Sequence, residues 1–208
     1  MTAYTQDPSR LASKKSKYVN RLWLSIASIA IAFSIGSGTQ AGWIYSKATV
    51  AQLLLENAWR KSLLDTAPHK PWSWADIRTV ARLDVVDTNR SFIVLSDASG
   101  EAMAFGPGLV GGNTLNPTRN TIAIGGHRDT HLSFLEHLPV GAHINMQNTE
   151  GQFLRYELVD KTVVDSRNQF IQISQNNPGL VLITCYPFNA RQTGGPYRLV
   201  AKAKLLAS

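Results

Sequence analysis

Only one cysteine, Cys185, occurs among the 208 residues, so the chain can close no disulfide of its own. Internal repeats and low-complexity tracts are also absent, and no second globular domain is marked. Acidic residues are scarce: 14 stand against 21 basic ones, for a formal net charge of +7. That excess does not read as a nucleic-acid signal, because much of it sits at one end. Arg10, Lys14, Lys15, Lys17 and Arg21 face Asp7 alone within residues 1–21. Beyond them the surplus is spread without a basic run that could follow a phosphate backbone. No nucleic-acid partner is expected.

Charge is missing altogether from residues 22–46. As a helix this window is about 37 Å long, enough to cross a hydrocarbon core of about 30 Å. Trp23 lies near one end and Trp43 and Tyr45 near the other, where aromatic rings anchor at membrane interfaces. A basic flank stays in the cytoplasm. The expected organisation is a basic cytoplasmic tail (1–21), a transmembrane anchor (22–46), a helical linker (47–70) and a domain (71–208). That places a single-pass protein in the cytoplasmic (inner) membrane, with the domain facing the periplasm or exterior. The small and polar patch Gly36-Ser37-Gly38-Thr39-Gln40 keeps a cleaved signal peptide as the alternative. Both readings export the domain. In that setting a lone thiol is an intermolecular link, a buried small hydrophobe or a reactive group.

Within 47–64, Ala51, Leu54, Leu55, Ala58 and Trp59 recur at three- and four-residue steps, which predicts a helix with one packing face. Pro68 and Pro71 break it. Beyond Pro71, short runs of Val, Ile, Leu, Phe and Tyr alternate with Gly, Asn, Asp and Pro. Strands are predicted at Ala81 to Val86, Ser91 to Leu95, Ala102 to Phe105, Thr121 to Gly125, His143 to Gln147, Gln152 to Val159, Lys161 to Asp165, Val181 to Thr184 and Arg198 to Lys204. Many short strands with few helices argue for a mainly β fold, a closed barrel of about eight strands with short helices between them, behind one N-terminal membrane helix.

Three stretches carry chemistry. Leu180 to Phe188 is an apolar run that stops at Thr184-Cys185 before Pro187, so Cys185 is expected at a strand's exit. Thr121 to Gly125 runs into Gly126, then His127-Arg128-Asp129-Thr130-His131, with His127 the first side chain presented beyond the glycines. Arg198 opens the last predicted strand. A thiolate nucleophile, a histidine to carry the proton and a cation for the developing oxyanion are the parts of an acyl-transferring thiol enzyme. Taken singly, each residue has an ordinary structural reading, and only the combination points to catalysis. His131 is a second histidine four residues on; His127 is preferred because it directly follows the glycines. His127, His131 and Cys185 could serve as zinc ligands, but no motif places a fourth. Glu136, Glu150, Glu157, Asp160 and Asp165 form no calcium loop. No metal and no cofactor are expected.

Leu182-Ile183-Thr184-Cys185, Gly126-His127 and Arg198, which occur in the expected order along the chain, resemble the signature of the sortases, membrane-anchored cysteine transpeptidases. The wording Gly126-His127-Arg128-Asp129-Thr130 with Thr184-Cys185-Tyr186-Pro187-Phe188 is most similar to class D-like sortases and those of Gram-negative bacteria. The resemblance covers Val80 to Leu205. It implies an eight-stranded sortase barrel in which Cys185 attacks the threonine carbonyl of a Leu-Pro-Xaa-Thr-Gly-like (LPXTG-like) sorting signal on an exported protein. His127 would protonate the leaving amine, Arg198 would hold the substrate and oxyanion, and a backbone amide near the cysteine would share that oxyanion. Thr184, Gly126 and Tyr186 are the implied substrate-contacting residues. An amine acceptor in the envelope would resolve the thioacyl-enzyme. The rivals are a cysteine endopeptidase that releases its substrate to water, and a non-enzymatic exported β-domain acting as a scaffold. The Ser-His-Gly-Cys context of L,D-transpeptidases is lacking.

Overall fold

The computed structural model describes residues 23–29, 31, 34, 47–111, 115–171, 173–174, 177–192 and 194–206. They belong to two units, Met1–Thr49 and Val50–Ser208. In the first, residues 23–29, 31, 34 and 47–49 are helical. Most of the membrane span expected at 22–46, and the basic tail before it, lie outside the described residues. Among the described residues no helix is long and apolar enough to cross a membrane.

The second unit begins with helical residues 50–65 (α1). Of the predicted stripe, Ala51, Leu55, Ala58 and Trp59 are buried and Leu54 is half-buried. Leu55 and Trp59 share a cluster with Ala75, Ile77, Ile93, Leu95 and Ala102. Polar ties fix the helix further. The buried Ser62 hydroxyl lies 2.8 Å from Thr79 Oγ1 and accepts the His69 amide at 2.9 Å, and Glu56 pairs with Arg82 on the outer surface.

Eight strands follow among the described residues: β1 (Thr79–Val85), β2 (Arg90–Leu95), β3 (Gly108–Leu109), β4 (Thr121–Gly125), β5 (His143–Asn148), β6 (Phe153–Asp165), β7 (Gly179–Cys185) and β8 (Tyr197–Leu205). They close into a barrel in the order β1-β2-β3-β4-β7-β8-β6-β5, so the mainly β, closed-barrel expectation holds. Alternation governs the half-covered strands. In β5 the buried Ile144, Met146 and Asn148 alternate with more exposed residues, and in β6 Leu154, Tyr156 and Leu158 do so. β4 and β7 instead read as near-continuous apolar runs, as expected of a parallel pair covered on both faces.

Three local expectations change. Ala102 to Phe105 is a 3-10 turn over Ala102–Ala104, not a strand. Its backbone bonds close locally, Phe105 N–H donating to the Ala102 carbonyl at 2.9 Å, while the Phe105 ring meets Trp72 edge-on at 5.1 Å. The two predicted strands 152–159 and 161–165 are one strand, β6, bearing an irregularity between Leu158 and Asp160; such an extra residue breaks the alternation that sequence reading relies on. β3 is two residues long and follows Gly106-Pro107, too short to show any period.

Two polar groups sit against the core. Tyr156 is fully buried, and its hydroxyl has no hydrogen-bond partner among the described residues; burial pushes its phenol pKa well up. His131 is half-buried with its ring edge-on to Phe92, and Phe92 stacks on Phe134. Burial, and secondly the neighbouring His127, lower the His131 pKa from its ordinary 6.5. Because an unpaired buried hydroxyl is a liability, Tyr156→Phe is expected to stabilise the fold by about 1 kcal/mol, raising Tm by about 2–4 °C. An equal fall in Tm would show that the hydroxyl is satisfied. For His131 the folded state resists a proton that the unfolded chain accepts. Its contribution is therefore complete above pH 6.5 and is lost as pH falls through the window below. His131→Gln should flatten the fall of Tm on acidification in that window; parallel curves for the two proteins would contradict this.

Candidate active site

The end of the barrel where β4 and β7 both stop is set by their register. The pair is parallel from Thr121↔Gly179 to Gly125↔Ile183. It is extended past the strand end by two hydrogen bonds: Gly126 N–H donates to the Ile183 carbonyl at 3.2 Å, and the buried Thr184 hydroxyl donates to the Gly126 carbonyl at 2.8 Å. His127 follows directly on the tied Gly126, as Cys185 follows directly on Thr184.

On the other flank β7 runs antiparallel to β8, with Cys185 opposite Arg198. Tyr186 N–H donates to the Tyr197 carbonyl at 3.0 Å, which makes that neighbouring pair a hydrogen-bonded one. Cys185 and Arg198 then form the alternate kind, in which Cα atoms approach to about 4.5 Å and side chains lie closest. Cys185 and Arg198 are thus cross-strand neighbours, and His127 sits on the turn whose Gly126 is bonded to Thr184 next to the cysteine. His127 is exposed; Cys185 and Arg198 are half-buried.

Local constraints account for each position. At Gly126 a Cβ would come within 2.9 Å of Leu132 Cγ and 3.2 Å of Cδ1, so a side chain there would push the turn away. The Leu132 amide donates to the His127 carbonyl at 3.0 Å and closes that turn. Arg198 Nη1 donates to the Gly195 carbonyl at 2.5 Å and to the Tyr197 carbonyl at 2.9 Å. Among the described residues its Nε and Nη2 make no hydrogen bond, so these donors face no competing acceptor. The chain leaves β7 through a cis Tyr186–Pro187 bond. Beside it, a cavity of about 390 Å³ opens between Tyr186, Pro187 and Phe188 on one side and Glu136, Lys161 and Leu199 on the other.

The remaining residues singled out in the sequence fall as follows. Thr184 is 2% exposed and its hydroxyl is committed to Gly126, so it shapes the His127 turn from within. Gly126 is buried and offers backbone only; Tyr186 is exposed, but its amide is already committed to Tyr197 and is not a free oxyanion donor. His131, half-buried and biased towards its neutral form, is less suited to carrying protons than the exposed His127. Among the described residues no three His, Cys, Asp or Glu side chains gather to hold a metal; Glu157 and Asp165 instead pair with Lys204 and Arg167. Sequence reading overlooked Arg128. It is 7% exposed and donates to the carbonyls of Pro187, Ala190 and Gln192 at 2.8, 2.9 and 3.2 Å. The one sequence signal for it was a second cation directly after His127.

A thiol paired across the sheet with a guanidinium, and an exposed imidazole on a turn tied to the same strand, are groups that can form and resolve a thioester. Comparisons with known proteins agree in fold. Sortase A from Corynebacterium diphtheriae superposes with a TM-score of 0.56 at 20% identity, covering 65% of this chain and 64% of that protein, just under two thirds of it. A lid mutant of the same sortase gives 0.55 at 19% identity over 77% of this chain and 95% of that one. Sortase C1 of Streptococcus agalactiae, in complex with MTSET, gives 0.54 at 17% identity over 62% and 70%. No curated protein sequence matches. A family model for the sortase domain matches residues 83–206, more than half of the chain, and the protein belongs to the sortase family.

Proposed function

We propose that this protein is a cysteine transpeptidase that cleaves an LPXTG-like sorting signal after its threonine and transfers the exported protein to an amine acceptor. The observation that supports the reading is the pairing of Cys185 with Arg198 across β7 and β8, together with the bond from Thr184 to the glycine that precedes His127. In this reading the Cys185 thiolate adds to the threonine carbonyl. The Arg198 Nε and Nη2 donors hold the oxyanion, the role a preorganised cation fills when negative charge develops. Collapse of the tetrahedral intermediate expels the amine, which takes a proton from His127, and leaves a thioester on Sγ. The incoming amine attacks that thioester, gives its proton to His127 and restores the thiolate. One amide is exchanged for another, so no external energy source is needed.

Finer assignments belong to the same proposal. The wording around His127 and Cys185 supports a class D-like or Gram-negative-type sortase. The charge-free window 22–46 behind five basic residues supports a single N-terminal anchor in the cytoplasmic membrane, with the domain on the far side.

The test is product analysis with a Leu-Pro-Xaa-Thr-Gly peptide, with and without an added amine. The amine should appear joined to the threonine, and Cys185→Ala should give neither ligation nor cleavage. Arg198→Ala should cost about 100-fold or more in kcat/KM, and Arg191→Ala far less. Hydrolysis alone at any amine concentration would make the protein an endopeptidase; equal effects of the two arginines would mean that Arg198 is the wrong cation.

A further inference from the structure

The most deeply buried charge near the site belongs to none of Cys185, His127 and Arg198. Arg128 is 7% exposed, and its only carboxylate partner among the described residues is Asp129, at 3.3 Å from Nε and itself largely exposed. A guanidinium desolvated to this degree is costly unless its donors are filled. Here they are filled by main-chain carbonyls: Pro187 from Nη1, and Ala190 and Gln192 from Nη2. All three belong to the irregular segment that follows Cys185, where no strand partner satisfies them. One side chain therefore joins the turn that carries His127 to the loop that continues from Cys185.

The bracket around His127 is then complete. The peptide before it is held to β7 by Ile183 and Thr184, its own carbonyl is held by Leu132, and the residue after it is anchored to the 187–192 loop. His127 lies between two attachments to the Cys185 segment, one on each side of the cysteine. We propose that Arg128 is a positioning residue that sets the separation of the His127 imidazole from the Cys185 thiol by clamping the 187–192 loop. This rests on the reading of Cys185 and His127 as the reacting pair. A lysine could replace it only in part: an ammonium is a compact point charge, whereas the planar fork spans carbonyls three and five residues apart in sequence.

The test compares full-length wild type, R128A, R128K, H127A and the double variant H127A/R128A. Three readouts are taken: thermal melting, the pH profile of Cys185 alkylation by iodoacetamide, and kcat and KM with a Leu-Pro-Xaa-Thr-Gly peptide. R128A should lose about 10- to 100-fold in kcat, the scale of a small misplacement of reacting groups, with a smaller change in KM. Its alkylation profile should move to that of H127A, and R128A should add nothing in the H127A background. R128K should fall between wild type and R128A, and it carries the comparison if R128A does not fold. A lowered Tm with wild-type profile and kcat would reduce Arg128 to a stabilising residue and overturn the proposal, as would losses that simply add in the double variant. A wild-type profile indifferent to H127A would instead overturn the pairing of His127 with Cys185 itself, a failure distinguishable from that of Arg128.

Discussion

The site depends on one register, the parallel pairing of β4 with β7 that puts Gly125 opposite Ile183. A parallel pair cannot be set by a tight turn, because its strands are joined through a long crossover. Here it is set by burial. Ile122, Ala123 and Ile124 face Leu180, Val181 and Leu182, all nearly inaccessible to water. A slip by one residue would exchange the two covered faces and misfit the side chains packed on each. Given that register, the turn that carries His127 is tied to the end of β7 that carries Cys185, and β8 supplies Arg198 through its antiparallel pairing with the same cysteine.

Beyond the last ladder bond the sheet cannot hold the chemistry in place, and side chains take over. Thr184 and Arg128 do the same physical work: each brings a donor out of water and satisfies a main-chain carbonyl on the opposing segment. Such bonds are worth little net when made, but a buried donor left unpaired costs about 1–3 kcal/mol, and more when it is charged. That asymmetry favours a single arrangement of the two turns. Gly126 completes the arrangement by what it lacks, since a Cβ would meet Leu132. A thiol and an imidazole can then be kept half-buried and exposed, respectively, on a rigid margin, which is what a nucleophile and a proton carrier require.

Much of this was legible in the chain. The apolar run ending at Thr184-Cys185 could be read because Pro187 cannot continue a ladder, and the strand Thr121 to Gly125 because a double glycine and a cluster of polar residues follow its apolar run. The helix after residue 47 was visible from its stripe. What could not be read lacked a local signal. β3 is too short to have a period, the irregularity in β6 hid one strand as two, and Ala102 to Phe105 was claimed by a local turn and an aromatic contact with Trp72. At the site, the identities of Cys185, His127 and Arg198 came from chemistry and family resemblance. The bonding of Thr184 to a residue 58 positions away, and of Arg128 to carbonyls 59 to 64 positions away, follows from the closed barrel and from no spacing rule.

The central claim is that the site forms a covalent thioacyl intermediate on Cys185. Intact-mass measurement after brief mixing with a Leu-Pro-Xaa-Thr-Gly peptide, quenched in acid, tests it most directly. The account predicts a species heavier by the acyl fragment ending at threonine, located to Cys185 after digestion and removed by hydroxylamine. Peptide turnover with no such adduct, or an adduct on any other residue, would contradict it.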